Sequence, residues 1–205
     1  MNKINNTSVV KQQYANANNL NTRISIHDKY STNKMGFGNW IMSNYRIDEK
    51  MKVLMVDQFL PNSVYVVELC RELRKYAKIT IFCKKNAGTD LDGVIWKDKL
   101  YAGGKGKMAA VWEYGKGLFR LQKEIKKGSY DVVHVQSFKD AKYEIPLYCK
   151  NKKYIPRLVH TVHNLLPHEA SAGDRELYSR FYNCCDLLVV HNEYCRQLLM
   201  KEYQI

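Results

Sequence analysis

The chain has 205 residues and carries 33 Lys and Arg against 20 Asp and Glu, a formal net charge of +13. That length suits one α/β domain of usual size plus a tail and excludes two full nucleotide-binding domains. No apolar run approaches the roughly 18 residues that span a bilayer, and Met1-Asn2-Lys3-Ile4-Asn5-Asn6 opens without the apolar segment of a secretory signal, so a cytoplasmic location is expected.

Charge of this size favours anionic partners: nucleic acid, an anionic membrane leaflet or phosphorylated substrates. The basic residues are dispersed and no RNP, KH or zinc-finger pattern accompanies them, which argues against nucleic acid. Cys70, Cys83, Cys149, Cys184, Cys185 and Cys195 show no C-x-x-C spacing. No Cys/His cluster has ligand spacing either, so the expectation is reduced, buried thiols, no metal and no cofactor. The vicinal pair Cys184-Cys185 reads as a packed helix end more readily than as a redox site.

Residues 1–50 hold ten of the sixteen asparagines and no sustained period of 2 or 3.6, so they read as a poorly ordered or peripheral extension. Met51-Lys52-Val53-Leu54-Met55-Val56-Asp57 then begins as many α/β domains begin, which makes 51–205 the expected domain. From there strands and helices alternate, as right-handed βαβ units on a parallel sheet require. Strands are expected at 52–57, 78–83, 94–96, 131–136, 157–162 and 187–190. Helices are expected at 64–76, capped by Ser63, and at 107–127, 140–150, 174–185 and 193–203. Pro146 should interrupt or kink the third helix. The fold class is α/β: a parallel sheet of about six strands with helices on both faces.

Two of these strands end in polar groups. One reads Asp131-Val132-Val133-His134-Val135-Gln136, the other Arg157-Leu158-Val159-His160-Thr161-Val162-His163-Asn164. Their apolar density suits strands buried on both faces, and ligands of open parallel sheets sit outside the carboxyl ends. Gln136, His163, Asn164 and His168 fall there. His134 is mid-strand, and His160 alternates in phase with Val162; both read as core.

These segments resemble a known family. Tyr130 to Gln136 resembles the D-[IV]-[IV]-H-x-[HQ] strand of family 4 glycosyltransferases of the GT-B fold. Leu158 to Asn164 resembles their VxTxHN strand and turn, and Leu165-Leu166-Pro167-His168-Glu169 the LPHE extension of some bacterial polysaccharide-assembly members. Cys185-Asp186-Leu187-Leu188-Val189-Val190-His191-Asn192 is similar to their aDxivvxS strand, with His191 where Ser is common. The resemblance covers about 51–205. It implies a Rossmann-like N-terminal GT-B half, which mainly binds the acceptor and faces a C-terminal domain that binds the nucleotide sugar through E-x7-E. No two glutamates here are spaced that way. The expectation is an acceptor-binding half, inactive without a donor-binding domain. The loop Phe59-Leu60-Pro61-Asn62-Ser63-Val64 lacks the glycines common there, although amides at the following helix start still favour an anion.

The resemblance makes His163 the candidate catalytic residue, able as neutral imidazole to bond a sugar hydroxyl or, charged, to favour a leaving phosphate; as a structural histidine it would cap the strand instead. Asn164, His168, Glu169, Gln136, Asn62 and Ser63 are candidate acceptor- or phosphate-binding groups, with plain loop chemistry as the other reading. Lys105 to Lys127 also supports two readings. An apolar stripe including Met108, Val111, Trp112, Phe119 and Ile125 packs a crossover helix on the sheet, or Trp112, Lys116, Phe119, Arg120 and Lys123 face an anionic membrane. The crossover helix is favoured, because every βαβ unit needs an apolar stripe. The implied partners are a nucleotide sugar held by another domain, a sugar or polyprenyl-diphosphate-linked acceptor, and peripheral contact with the inner membrane face. The alternative function is a non-catalytic Rossmann-like module that binds a phosphorylated ligand or a membrane and regulates a partner.

Overall fold

In the computed structural model the chain divides into two compact units, Met1–Arg46 and Ile47–Ile205. The described residues are Ser43, 50–60, 63–84, 91–100, 106–167 and 170–205. The expectations for the extension 1–50, apart from Ser43 and Lys50, and for Asn62, His168 and Glu169 lie outside them.

Six strands form one parallel sheet: β1 (Lys52–Asp57), β2 (Lys78–Cys83), β3 (Ile95–Lys97), β4 (Val132–Val135), β5 (Arg157–Val162) and β6 (Leu187–Val190). Their order is β3-β2-β1-β4-β5-β6. Helices α1 (Val64–Leu73), α2 (Lys107–Lys127), α3 (Ala141–Lys150), α4 (Asp174–Cys184) and α5 (Glu193–Tyr203) connect or follow them, with a short 3-10 turn at Lys152–Tyr154. The architecture is a Rossmann-like α/β fold, and the chain reverses direction across the sheet between β1 and β4. That reversal opens a crevice at the carboxyl ends of these two strands.

Burial explains the strand sequences. Every residue of β4, and all of β1, β2 and β5 except the first, is buried or nearly so, while the edge strands β3 and β6 are half-covered. Central strands of a doubly covered sheet therefore read as near-continuous Val, Leu and Ile. The acids that precede two strands have a structural task. Asp131 Oδ2 accepts from the Lys52 amide at 2.8 Å, and Asp186 Oδ2 accepts from the Leu158 amide at 2.6 Å. Each satisfies an amide at the start of a neighbouring strand, Lys52 being the first residue of β1 and Leu158 the second of β5.

Several local expectations change. Ser63 stands at the start of α1, but its side chain makes no cap bond; its carbonyl accepts from Val66 and Val67. α3 runs through Pro146 as one ten-residue helix, because Asp140 caps it at the Lys142 amide and Ile145 and Tyr148 are buried beside the proline. All six cysteines are free, but only Cys70 and Cys83 are buried; the others are half-buried.

The largest correction concerns α2. Its buried positions are Gly117, Leu121 and Ile125. Met108, Val111, Trp112 and Phe119, read as part of the packing stripe, are instead exposed, Trp112 and Phe119 by 67% each. The crossover helix does pack, but it carries a second apolar face toward solvent. At about 100° per residue, Trp112 lies about 180° around the helix from Leu121, so one stripe cannot hold both.

Gly117 sets that rotation. A Cβ there would stand 1.3 Å from the Leu100 carbonyl oxygen, whereas a Cβ on Gly115 would meet nothing within 4 Å. Gly117→Ala should therefore destabilise the fold by at least about 1–3 kcal/mol through backbone displacement, and Gly115→Ala should be neutral or stabilising by up to about 1 kcal/mol. Urea unfolding of both variants reads the difference, and equal effects would contradict the close approach.

Candidate functional site

Polar side chains gather at the carboxyl ends of β1, β4, β5 and β6, where the amides and carbonyls of the last residues leave the ladder. Asp57 and Gln58 come from β1, Gln136 and Ser137 from β4, His163 and Asn164 from β5, and His191 and Asn192 from β6. Asn192 is committed to capping α5, its Oδ1 accepting from the Cys195 amide at 2.8 Å.

The histidines form a connected row. His134 is fully buried, and its Nε2 lies 2.8 Å from Thr161 Oγ1 and 2.9 Å from Gln136 Nε2. Gln136 Oε1 stands 3.3 Å from His163 Nε2, and His163 Nδ1 stands 3.1 Å from His191 Nε2. Tyr65, in the first turn of α1, sets its ring edge-on to both outer imidazoles, 5.4 Å from His163 and 5.5 Å from His191. His160 belongs to the core: its Nδ1–H donates to the Val135 carbonyl at 2.8 Å, and its ring stacks on Phe138. Phe138 in turn packs against Phe181 and Tyr178, anchoring the loop that follows Gln136.

Desolvation keeps His134, His160 and His163 uncharged. It pushes His134 well below the usual imidazole range and His160 down to about 4. Desolvation, and then the neighbouring His191, push His163 down as well; the residue is nonetheless exposed, which moderates the shift without changing its sign. His134, His160 and His163 are therefore neutral imidazoles near pH 7.

A second buried cluster borders it. Asp57 and Glu144 are 1% and 0% exposed. The Ser137 hydroxyl donates to Asp57 Oδ1 and accepts from the Gln58 amide at 3.0 Å. Glu144 accepts from Tyr114 OH at 2.6 Å, from the Lys139 and Asp140 amides at 2.8 and 3.0 Å, and from Gln58 Nε2 at 2.9 Å. Burial raises both carboxyls despite these donors. Glu144 thus ties α2, α3, the loop after β1 and the loop after β4 to one carboxylate. Among the described residues no three His, Cys, Asp or Glu side chains converge as metal ligands.

The predicted site residues separate on this map. His163 and Asn164 are exposed at the end of β5. Gln136, expected on the cleft, is 1% exposed and stands behind His163 as its support, because its amide is taken up by His134, Met55 and His163. Ser63 is half-buried at the start of α1. Tyr65, Asp57, Ser137 and Glu144 were missed. Asp57 had a signal, an acid closing an otherwise apolar strand; Tyr65 and Glu144 had none, since only tertiary packing brings them here.

The family model for Glycosyltransferase Family 4 matches residues 63–205. The chain belongs to glycosyltransferase family 4. No curated protein matches it. Within this family 4 domain, the matched span contains β2 through α5, and with them His163, Gln136 and His191. Glycosyl transfer, with a sugar donor and an acceptor, is accordingly the chemistry that membership of this family implies.

The neutral core histidines carry a pH consequence. A folded value depressed below the free imidazole value means that the unfolded chain binds more protons, so stability is full above about pH 6.5 and is lost as pH falls toward 4. His160 alone should contribute about 3 kcal/mol of that loss. Urea midpoints at pH 7 and pH 4.5 measure it. A His160→Asn variant, less stable at pH 7 because it leaves a cavity, should lose less on acidification; an equal loss in both proteins would contradict the assignment.

Proposed function

We propose that residues 51–205 form the acceptor side of a GT-B glycosyltransferase that moves a sugar from a nucleotide donor to a lipid-linked or oligosaccharide acceptor in bacterial cell-surface polysaccharide assembly. The observation that carries this is the exposed His163 at the carboxyl end of β5, with Gln136, His191 and Tyr65 arranged around it in a chain of this family. A neutral imidazole offers a hydrogen bond to a sugar hydroxyl or a phosphate oxygen without the desolvation cost of a buried cation. Asn164 extends the same surface with an amide. The nucleotide would be held by a second domain facing this edge, and these residues would not turn over substrate by themselves.

The outward face of α2 supports a second part of the reading, peripheral attachment to the cytoplasmic face of a membrane. Met108, Val111, Trp112 and Phe119 are exposed on a helix that also carries Lys107, Lys116, Arg120 and Lys123. Lys116 Nζ lies 5.1 Å from the Trp112 ring centre. An aromatic ring for the interfacial zone with cations beside it matches an anionic lipid surface in both polarity and charge. No described helix is long and apolar enough to cross a bilayer, so attachment through this face would be lateral. A lipid-linked acceptor would then reach the site from the surface on which the domain rests.

Isothermal titration tests the acceptor assignment. A short-chain polyprenyl-diphosphate-linked sugar should bind the full chain, and His163→Ala should weaken it about tenfold or more, the cost of one hydrogen bond to a charged group. Uridine- and guanosine-diphosphate sugars should bind poorly. Tight donor binding with no acceptor binding would overturn the assignment.

Flotation with vesicles tests the second. Recovery should be high with phosphatidylglycerol vesicles, low with phosphatidylcholine, and reduced severalfold by joint Trp112→Ala and Phe119→Ala substitution. Equal recovery on both lipids would remove the membrane reading.

A further inference from the structure

His191 stands at the mouth of the site with no role assigned so far. Its Nε2 lies 3.1 Å from His163 Nδ1, and the two ring centres are 5.1 Å apart. Which nitrogen carries the proton in each ring follows from the partners. Gln136 Nε2 contacts Met55 Sδ at 3.3 Å as well as His134 Nε2 at 2.9 Å. A thioether only accepts, so the amino end of the Gln136 amide must face Met55 and His134. The carbonyl end, Oε1, then faces His163 Nε2. An oxygen that only accepts requires a proton on that nitrogen. A neutral His163 protonated at Nε2 has its lone pair on Nδ1, and that lone pair must be met by a donor, which is the Nε2–H of His191.

We propose that His191 is a positioning residue that holds His163 in the Nε2–H tautomer, so that the site presents a neutral hydrogen-bond donor to an oxygen of its ligand. The Gln136 contact is the replaceable one. At 3.3 Å it is long beside the 2.9–3.0 Å usual for N–H···O bonds, whereas the His191 contact is closer and Tyr65 buttresses both rings from α1. An incoming phosphate or hydroxyl oxygen therefore takes the Nε2–H while His191 keeps the ring in register. His163 acts in this arrangement as a donor and not as a base. The groups facing the pair are Tyr65 from α1 and, from β4 and its end, buried neutral His134 and Gln136; Thr161 of β5 bonds His134 and Tyr65 behind them. The inference rests on the reading that His163 faces the ligand.

Long-range proton–nitrogen correlation spectra of the full chain, labelled with nitrogen-15 histidine at pH 7.5, read the tautomers directly. Wild type should show His163 protonated at Nε2. His191→Ala should shift it toward the Nδ1–H form and raise its titration midpoint, since a neighbouring imidazole is removed. His191→Gln, which retains an N–H donor, should restore the Nε2–H form. A wild-type His163 protonated at Nδ1, or spectra of His163 unchanged in His191→Ala, would overturn the proposal. The wild-type assignment decides even where the alanine variant fails to fold. No substrate enters the measurement, so failed acceptor binding and a failed tautomer assignment remain separate results.

Discussion

The Gln136 side-chain amide is the connection on which the ligand end of the sheet depends. It lies one residue beyond β4, is 1% exposed, and meets groups on three strands: Met55 of β1, His134 of β4 and, past the end of β5, His163. Its two ends are chemically distinct, one donating and one accepting, so it converts the identity of buried neighbours into an orientation for an exposed imidazole. A carboxylate there would reverse the polarity toward His134 and Met55, and an aliphatic residue would leave His134 Nε2 and His163 Nε2 without this partner. The cost of such buried unsatisfied groups, about 1–3 kcal/mol each, is what keeps the row in one arrangement.

The same logic holds at Glu144, at the other side of the crevice. Four donors from α2, the loop after β1 and the loop after β4 converge on it, and burial opposes its charge. Networks of this kind are stable when every member is satisfied and costly when one is lost. The crevice wall at Glu144 is therefore stiff because its donors and acceptors are buried and paired, while His163 is exposed and free to exchange partners.

The strands were legible because burial on both faces leaves a dense apolar signature that local sequence carries by itself: all six agree to within one residue at each end, β3 running one residue later than read. His163 was legible because strand ends in a parallel sheet are where polar groups become useful. The position of Gln136 was not, since a residue one step past a strand can face solvent or turn beneath its neighbour, and only the contacts of Met55 and His134 decide. Tyr65 and Glu144 lie on helices whose rotation is set by packing, and nothing in their local sequence marks them. α2 was misread for a related reason. Its apolar residues cover two faces, and periodicity counted along the chain merges them. The discriminating residue is Gly117, whose missing side chain fixes which face meets the Leu100 backbone.

A neutral site in a chain of +13 divides recognition into two steps. Imidazoles without charge cannot draw an anion from a distance; a Coulombic field can, over roughly a Debye length of 8–10 Å. The cations of α2, including Lys107, Lys116, Arg120 and Lys123, lie on a different element from the His163 row, and the helix carries exposed apolar groups among them. In the proposed reading, long-range attraction would belong to the surface, and short-range discrimination by donor and acceptor to the crevice. Placing the charge at the site itself would have strengthened attraction to any anion equally. On the proposed acceptor reading, a neutral and oriented His163 would instead let geometry choose among the anions that the surface gathers.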